Sequence, residues 1–384
     1  MQYNLQNSLL TDLKIGKKIT FNKPSSWPNI RKGVQNGHIY LLVDDRYPIG
    51  FTAAVTGGYS VDIDGEHYDD YNSQAQFSMA DWREYTATEG YSIDYPTNAV
   101  KAHIIDIYPQ TTGNNITAFK CARIAASGTE EQGVLWAHFN LDNAVNLGSA
   151  FGSYGSYKQS VMSACTAKNN LLKLTSAESL YFGTSALEYS PILDFQNAEI
   201  SFYGLIWNSA VKTLEIKNAK PTSLQYFANN SGIEKLKFVN CDFSKTTTFS
   251  AAFNNATKIK ILPDFNFSTS CLGGGEAFVN NCSALTNDVI LDLSNCTALN
   301  KFIATSTSKF KGLRVSDQAP FSGAAPQINV SNTGMNRAAI VQLFNDLPTV
   351  SSGQIINITG CSGTADLTDE DKTIATNKGW TIAE

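Results

Sequence analysis

Five acidic residues fall between positions 62 and 70: Asp62, Asp64, Glu66, Asp69 and Asp70. Calcium prefers several carboxylates at close spacing, so such a cluster can bind the ion. The run lacks the complete D-x-D-x-D-G loop with its distant Glu, and its Asp-Gly pair is the strongest short signal of a tight hairpin turn. Two interpretations therefore stay open, a weak calcium site at Asp62, Asp64 and Glu66 or a solvated hairpin tip.

The sequence contains none of the common catalytic motifs. HExxH, GxxxxGK[ST] and a GxGxxG that follows a strand are absent, and the string closest to GxSxG, at residues 148–152, has its serine one place early. The histidines are scattered and indicate structural roles: His38, His67, His103 and His138. A polysaccharide-cleaving enzyme would need two carboxylates about 5–9.5 Å apart in a cleft, and no pair stands out. We therefore predict no catalytic residues and no cofactor.

Charge and hydropathy exclude two classes of partner. Lys and Arg number 29 against 34 Asp and Glu, a net charge of −5, so there is no basic surplus for nucleic acid. No run of about 18 apolar residues is present, which argues against membrane insertion. The first residues do not show a positive region followed by an apolar stretch of a secretory signal. We expect a protein that is made in a cytoplasm and leaves it by lysis.

The seven cysteines are odd in number and include no CxxC pair, which predicts free thiols. Cys241, Cys282 and Cys296 each follow an Asn directly. Because a free cysteine packs as a small apolar side chain, we interpret these three as buried structural residues and not as metal ligands.

The elements that must position all these groups are mostly strands and turns. Charged residues make up only 16% of the chain, and the visible Ser, Thr, Asn and Gly favour strands, turns and side-chain ladders. From about residue 185 a pattern of apolar, any, apolar, any, then Asn or Asp recurs and ends at five positions: Asn197, Asn218, Asn240, Asn295 and Asp317. The interval of 55 residues between the third and fourth copies leaves room for one irregular copy at residues 259–265.

A period of 20 to 29 residues with L-x-L-x-x-N character is the leucine-rich repeat signature. A second phase, Phe followed by paired Asn, recurs at residues 227–230, 253–255 and 278–281. The BspA-like subclass of these repeats carries an "AF..C..L" stretch, to which Ala277–Leu285 and Ala252–Ile259 are similar, the second with Ala and Ile in place of the Cys and Leu. Residues 171–330 therefore resemble BspA-like leucine-rich repeats. The resemblance implies a parallel β solenoid in which each repeat-ending Asn or Asp turns the chain.

Aromatic side chains among Asn, Ser and Thr on such repeats suit a carbohydrate or protein surface. We select four as candidate binding residues: Tyr203, Trp207, Tyr226 and Phe249. The alternative is that these aromatics fill the interior of the repeats.

The first 170 residues are of another kind. Alternating apolar runs at residues 39–43, 51–55, 59–63, 102–108, 116–124 and 134–139, separated by turn residues, predict a β-sandwich.

The segments "PSSWPNI" (24–30), "GYSVDIDGE" (58–66) and "VKAHIIDIYPQ" (100–110) resemble a phage virion module that reads approximately "RPSDWLPLP", "YTVDWGDG" and "KQVIVTVTPQ". The resemblance implies a sandwich of the polycystic-kidney-disease (PKD-like) type in a tail or appendage protein. Ile63-Asp64-Gly65 departs from the Trp-Gly-Asp-Gly of that module.

The last 50 residues predict a cap. Helical spacing covers residues 336–347, and Thr368 followed by three acidic residues predicts the start of a second helix. The stretch "LFNDLPTV...LTDEDKTIATNKGWTI" also resembles the ends of repeat proteins encoded by phages and gut bacteria.

The predicted fold is mixed and β-rich: an N-terminal segment (1–23), a PKD-like β-sandwich (24–170), a leucine-rich-repeat solenoid of parallel β structure (171–330) and an α/β C-terminal capping repeat (331–384). The resemblances imply a non-enzymatic bacteriophage virion protein of a tail, fibre or head appendage. Its expected partners are other virion proteins, a host surface glycan or protein, and further copies of itself. The alternatives are a bacterial leucine-rich-repeat adhesin, which would need an export signal, and a phage depolymerase.

Overall fold

The computed structural model describes residues 30, 33–44, 49–77, 102–121, 130–131, 133–152, 157–158, 161–351 and 353–384. This part of the chain holds 24 strands and two α-helices, so the prediction of a β-rich mixed fold is confirmed. The N-terminal segment 1–23, and all of "PSSWPNI" except its last residue, lie outside the described residues.

The strands before residue 170 are β1 (His38–Asp44), β2 (Phe51–Val55), β3 (Tyr59–Ile63), β4 (Glu66–Tyr71), β5 (Gln76–Phe77), β6 (Ala102–Pro109), β7 (Ile116–Lys120), β8 (Glu130–Glu131), β9 (Val134–Asn140), β10 (Val145–Asn146), β11 (Tyr157–Lys158) and β12 (Ala164–Ala167). Those after it are β13 (Leu171–Ser176), β14 (Ile192–Ser201), β15 (Thr213–Ser223), β16 (Lys235–Val239), β17 (Phe253–Asn254), β18 (Val279–Asn280), β19 (Val289–Leu293), β20 (Phe302–Thr305), β21 (Phe310–Val315), β22 (Ile328–Asn329), β23 (Ile355–Asn357) and β24 (Thr381–Ala383). The helices are α1 (Arg337–Asp346) and α2 (Asp369–Thr376).

One sheet has six strands in the order β12-β9-β1-β6-β3-β4. Its pairs are antiparallel except for β9 with β12. The β3–β4 hairpin turns at Asp64 (φ 53°) and Gly65 (φ 94°), the positive-φ pair that a two-residue turn of type I′ requires. The departure from the Trp-Gly-Asp-Gly pattern therefore still allows a tight hairpin.

The second sheet has eight strands in the order β16-β15-β14-β13-β10-β7-β2-β5. Pairing is antiparallel at β2 and parallel from β7 to β16. It faces the six-stranded sheet across a shared core, in which Phe119 of β7 meets Phe139 of β9 edge to face at 5.9 Å. Because β10 pairs with β13, the second sheet contains strands from both sides of residue 170.

The strands that follow β16 form two further sheets of parallel strands, β17-β18-β20-β22-β23-β24 and β19-β21. The short strands β8 and β11 pair in parallel as a separate two-stranded sheet. Successive units are tied together at one turn position whose residues all have φ between 52° and 73°: Gly183, Asn208, Asn230, Asn255, Asn281, Ser306, Asn332 and Gly360. From Gly183 to Asn332 each amide N–H at this position donates to a carbonyl of the next unit. Asn and Gly tolerate this left-handed conformation best, which explains their recurrence. Residues 259–265, where the sequence predicts an irregular copy, form no strand.

The two helices lie at the end of the chain, and each begins with a side-chain cap; the sequence predicts the cap at Thr368 but not the one at Asn336. Asn336 accepts from the Ala339 amide at the start of α1, and Thr368 and Asp371 form a capping box at the start of α2. Lys378 Nζ donates to the carbonyls of Phe344, Asn345 and Leu347 at the end of α1, at 3.2, 2.7 and 2.8 Å. Neither helix is long and apolar enough to cross a membrane.

Candidate functional site

Aromatic side chains gather on the surface beside the turns of the repeat units. Trp207 and Tyr226 stack with ring centroids 4.6 Å apart and planes 15° apart. Phe182 lies against the other side of the cluster, 4.7 Å from Trp207, and Tyr203 meets Tyr226 edge to face at 5.8 Å. All four side chains are half-buried. Three of the four predicted binding residues are thus brought into contact with one another, and the sequence prediction missed Phe182.

Tyr226 has an unusual backbone conformation and a raised pKa within this cluster. Its φ is +55°, a left-handed conformation that is strained for a bulky side chain. Its hydroxyl donates to Glu276 Oε1 at 2.7 Å, and this hydrogen bond together with burial raises the pKa of Tyr226 to about 12. The exposed Glu276 carboxylate therefore places a charged acceptor at the end of the aromatic cluster.

Phe249 does not belong to this surface, so its selection as a binding residue was wrong. Its side chain is only 1% exposed and packs against Phe267, Phe278 and Phe302 inside the repeats. Burial is favourable at this position, because a large aromatic ring surrounded by other rings is removed from water.

The predicted repeat-ending residues form a side-chain ladder only in part. Asn218 Nδ2 donates to Asp194 Oδ1 at 3.0 Å, and Asn240 Nδ2 donates to Asn218 Oδ1 at 3.2 Å. Asn197 lies outside the ladder, because β14 carries two extra residues between Asp194 and Ala198 relative to β15. Asn295 and Asp317 are exposed just after β19 and β21.

A second ladder runs through the paired-Asn phase of the repeat. Asn254 Nδ2 donates to Asn229 Oδ1 at 3.1 Å, Asn280 Nδ2 donates to Asn254 Oδ1 at 2.9 Å, and Thr305 Oγ1 donates to Asn280 Oδ1 at 3.0 Å. Because the Gly183 amide donates to the Trp207 carbonyl and the Asn208 amide to the Asn229 carbonyl, Trp207 occupies the unit before Asn229. The aromatic cluster and the amide ladder therefore follow one another along one edge of the repeats.

Two of the three calcium candidates have other partners. Asp64 accepts from the Ile104 amide at 2.9 Å and lies 2.7 Å from His103 Nδ1. Asp62 accepts from the Tyr108 hydroxyl, and Glu66 is exposed. No group of three or more ligating side chains able to hold a metal occurs among the described residues. The geometry supports the hairpin-tip interpretation over the calcium site.

A transverse polar row crosses the face of the six-stranded sheet that points away from the shared core. Each member lies directly opposite the next across all six strands: Thr166, His138, Tyr40, Asp106, Asp62 and His67. Asp106 Oδ1 lies 2.8 Å from His38 Nδ1, and Asp62 Oδ1 lies 3.1 Å from His67 Nδ1. The sequence alone does not predict this row. Alternation within each strand indicates which residues share a face of that strand. Which residues lie opposite each other on neighbouring strands depends on the register, which alternation does not give.

Burial is the largest cause of the raised pKa values of Asp106, Tyr40 and the neighbouring Tyr108. It raises the pKa of Asp106; the contact with His38 opposes that rise and the charge of Asp62 adds to it. The pKa of Tyr40 and that of Tyr108 rise to about 12, mainly through burial. Both phenols are therefore neutral donors at physiological pH.

Comparison with known protein families, curated proteins and solved structures found no match. Function must therefore be inferred from the surface chemistry of the chain itself.

Proposed function

We propose that this chain is a non-enzymatic structural protein of a bacteriophage virion, in which the repeat region binds a host surface glycan or protein or a neighbouring virion protein. The observation that carries the binding part is the contact of Tyr203, Trp207 and Tyr226 on the repeat surface. The virion part rests on the sequence resemblances.

In this proposal the six-stranded sheet and strands β10, β7, β2 and β5 of the facing sheet correspond to a PKD-like β-sandwich. The parallel units from β13 onward correspond to a BspA-like solenoid. The recurring positive-φ turn position and the two amide ladders support the solenoid, because a solenoid stacks equivalent positions of successive units. The helices α1 and α2 cover the last units as a cap.

The aromatic cluster suits binding because its apolar rings lie beside polar groups that can fix a ligand. Glu276 accepts hydrogen bonds at one end, and the half-buried amides of Asn254 and Asn280 follow along the same edge. Sugars and protein loops both present apolar surface together with hydroxyl or amide groups. Many copies on one particle would multiply weak contacts into firm attachment.

The binding part is tested with the purified, fluorescently labelled full-length chain and cells of the host of the phage that encodes it. We expect cell-associated fluorescence that falls at least about tenfold, or roughly 1.4 kcal/mol, in Trp207→Ala. Tyr189→Ala is the matched control, since Tyr189 is a half-buried aromatic outside the cluster that donates to Asn170. Circular dichroism verifies that both variants are folded. Equal binding by Trp207→Ala would remove the cluster from the proposal.

The virion part is tested separately by immunogold labelling of purified phage particles with antibody against the chain. Gold on particles is the expected result. Labelling of the host cell surface without phage would favour the adhesin, and release of sugar fragments from host polysaccharide would favour the depolymerase. Mass photometry of the full-length chain tests the expected homo-oligomer.

A further inference from the structure

The face of the six-stranded sheet carries a feature that the binding proposal does not use. Asp62 of β3 and Asp106 of β6 are directly opposite each other in an antiparallel pair. Residues in that relation have Cβ atoms about 4.5–5.5 Å apart, and like charges there are destabilising. Both side chains are largely covered, 23% and 18% exposed, so water screens their repulsion poorly.

We infer that the Asp62–Asp106 pair and its partners form a proton-dependent latch, which holds the β3–β4 hairpin on the sheet in acid and loosens it as the pH rises. The latch spans four strands, β1, β3, β4 and β6. His38 of β1 contacts Asp106 from one side, while His67 of β4 contacts Asp62 from the other.

The groups that face the pair do not all act in the same direction: burial and the charge of Asp62 raise the pKa of Asp106, while His38 and Tyr40 lower it, and the net shift is upward. On Asp106 the facing groups are His38 and Tyr40 from β1 and Asp62 from β3. On Asp62 they are Tyr108 from β6 and His67 from β4. The tyrosines stay neutral, so towards a carboxylate their hydroxyls act as donors. A proton gained by Asp106 removes the repulsion between the two carboxylates.

The sign of the pH effect follows from Asp106. Its pKa is raised in the folded chain above the ordinary value of about 3.9. The folded state therefore binds this proton more tightly than the unfolded state, so its contribution is complete in acid and is lost as the pH rises through the raised pKa.

The hairpin is the element on which this change acts. β4 is an edge strand of the six-stranded sheet and pairs only with β3 within the described residues. Its exposed side chains include Glu66, Asp69 and Asp70, which contribute no apolar burial. Local opening of such an edge requires less free energy than global unfolding, and opening uncovers the edge of β3 for pairing with another chain.

The experiment is hydrogen exchange with mass spectrometry on the full-length chain, after correction for the pH dependence of the chemical exchange rate. Peptides that cover residues 59–71 are followed from pH 5 to pH 8. We expect their protection to fall on the order of tenfold over this range, while peptides of α1 and α2 keep theirs.

Asp106→Asn is the decisive variant, because it keeps the shape and removes the charge. We expect its hairpin protection at pH 8 to equal or exceed that of the wild type, with a flat pH profile. Asp62→Asn tests the same repulsion from the other strand, and Asp69→Asn is the control at an exposed position of the same hairpin. If Asp106→Asn keeps the wild-type slope, or if Asp69→Asn flattens the profile equally, the latch is disproved. Should Asp106→Asn not fold, the same comparison is made with Asp62→Asn.

Discussion

Arg337 and Asp371 form a two-pronged ion pair that joins the first residue of α1 to the first turn of α2. Arg337 Nε and Nη2 donate to the two carboxylate oxygens at 2.7 and 2.9 Å. Asp371 also accepts from the Thr368 amide and so completes the capping box. One carboxylate therefore serves the packing between the helices and the start of α2 at once.

This pair predicts a loss of stability in acid. Arg337 and the Thr368 amide lower the pKa of Asp371, so its contribution is present above the unfolded value of about 3.9 and is lost as the pH falls. We expect Asp371→Asn to lower the thermal midpoint at pH 7. Between pH 6 and pH 3 the thermal midpoint of this variant should fall less than that of the wild type. Asp317→Asn, at an exposed position, is the control. An unchanged acid profile in Asp371→Asn would contradict the assignment.

Lys378 closes the other end of α1 through its three hydrogen bonds to carbonyls. We expect Lys378→Met, which keeps the apolar stem, to lower the free energy of unfolding by about 1–3 kcal/mol, since helix-terminal carbonyls lose a charged donor. Chemical denaturation measures the change. Lys372→Met removes an exposed ion pair with Glu384 and should change little. Equal effects of the two variants would show that the carbonyl contacts do not matter.

Asn254 tests the second ladder, because its amide both donates to Asn229 and accepts from Asn280. In Asn254→Asp the donor is replaced by an acceptor that faces the Asn229 oxygen. We expect a loss of about 1–2 kcal/mol in denaturant unfolding. Asn295→Asp changes an exposed residue outside both ladders and should be close to neutral. A neutral Asn254→Asp would mean that the ladder does not contribute to stability.

Removal of residues 1–170 should not release an intact repeat region. The cut would free the edge of β13, which pairs with β10, and would uncover the buried Tyr181, which stacks on Phe151 at 6.4 Å. We expect residues 171–384 alone to aggregate or to unfold without cooperativity, as measured by size-exclusion chromatography and thermal denaturation. A soluble, cooperatively folding fragment would place an independent boundary at residue 170.

Local chemistry made several elements predictable from the sequence. The alternation in residues 51–55 and 59–63 identified β2 and β3 with their observed bounds. Thr368 with its acidic successors identified the start of α2. Turn, cap and alternation signals act over a few residues, so they need no knowledge of distant neighbours.

Contacts between units were decided only by the tertiary structure. Because of the bulge in β14, Asn218 donates to Asp194 and Asn197 lies outside the ladder. Phe249 is buried by the aromatic rings around it. The register of β3 on β6 sets Asp62 opposite Asp106, two residues that are 44 positions apart in the sequence. A shift of one residue in pairing would turn either side chain to the other face. Residue types and spacing therefore determined the strands, turns and caps, while register and packing decided which side chains meet.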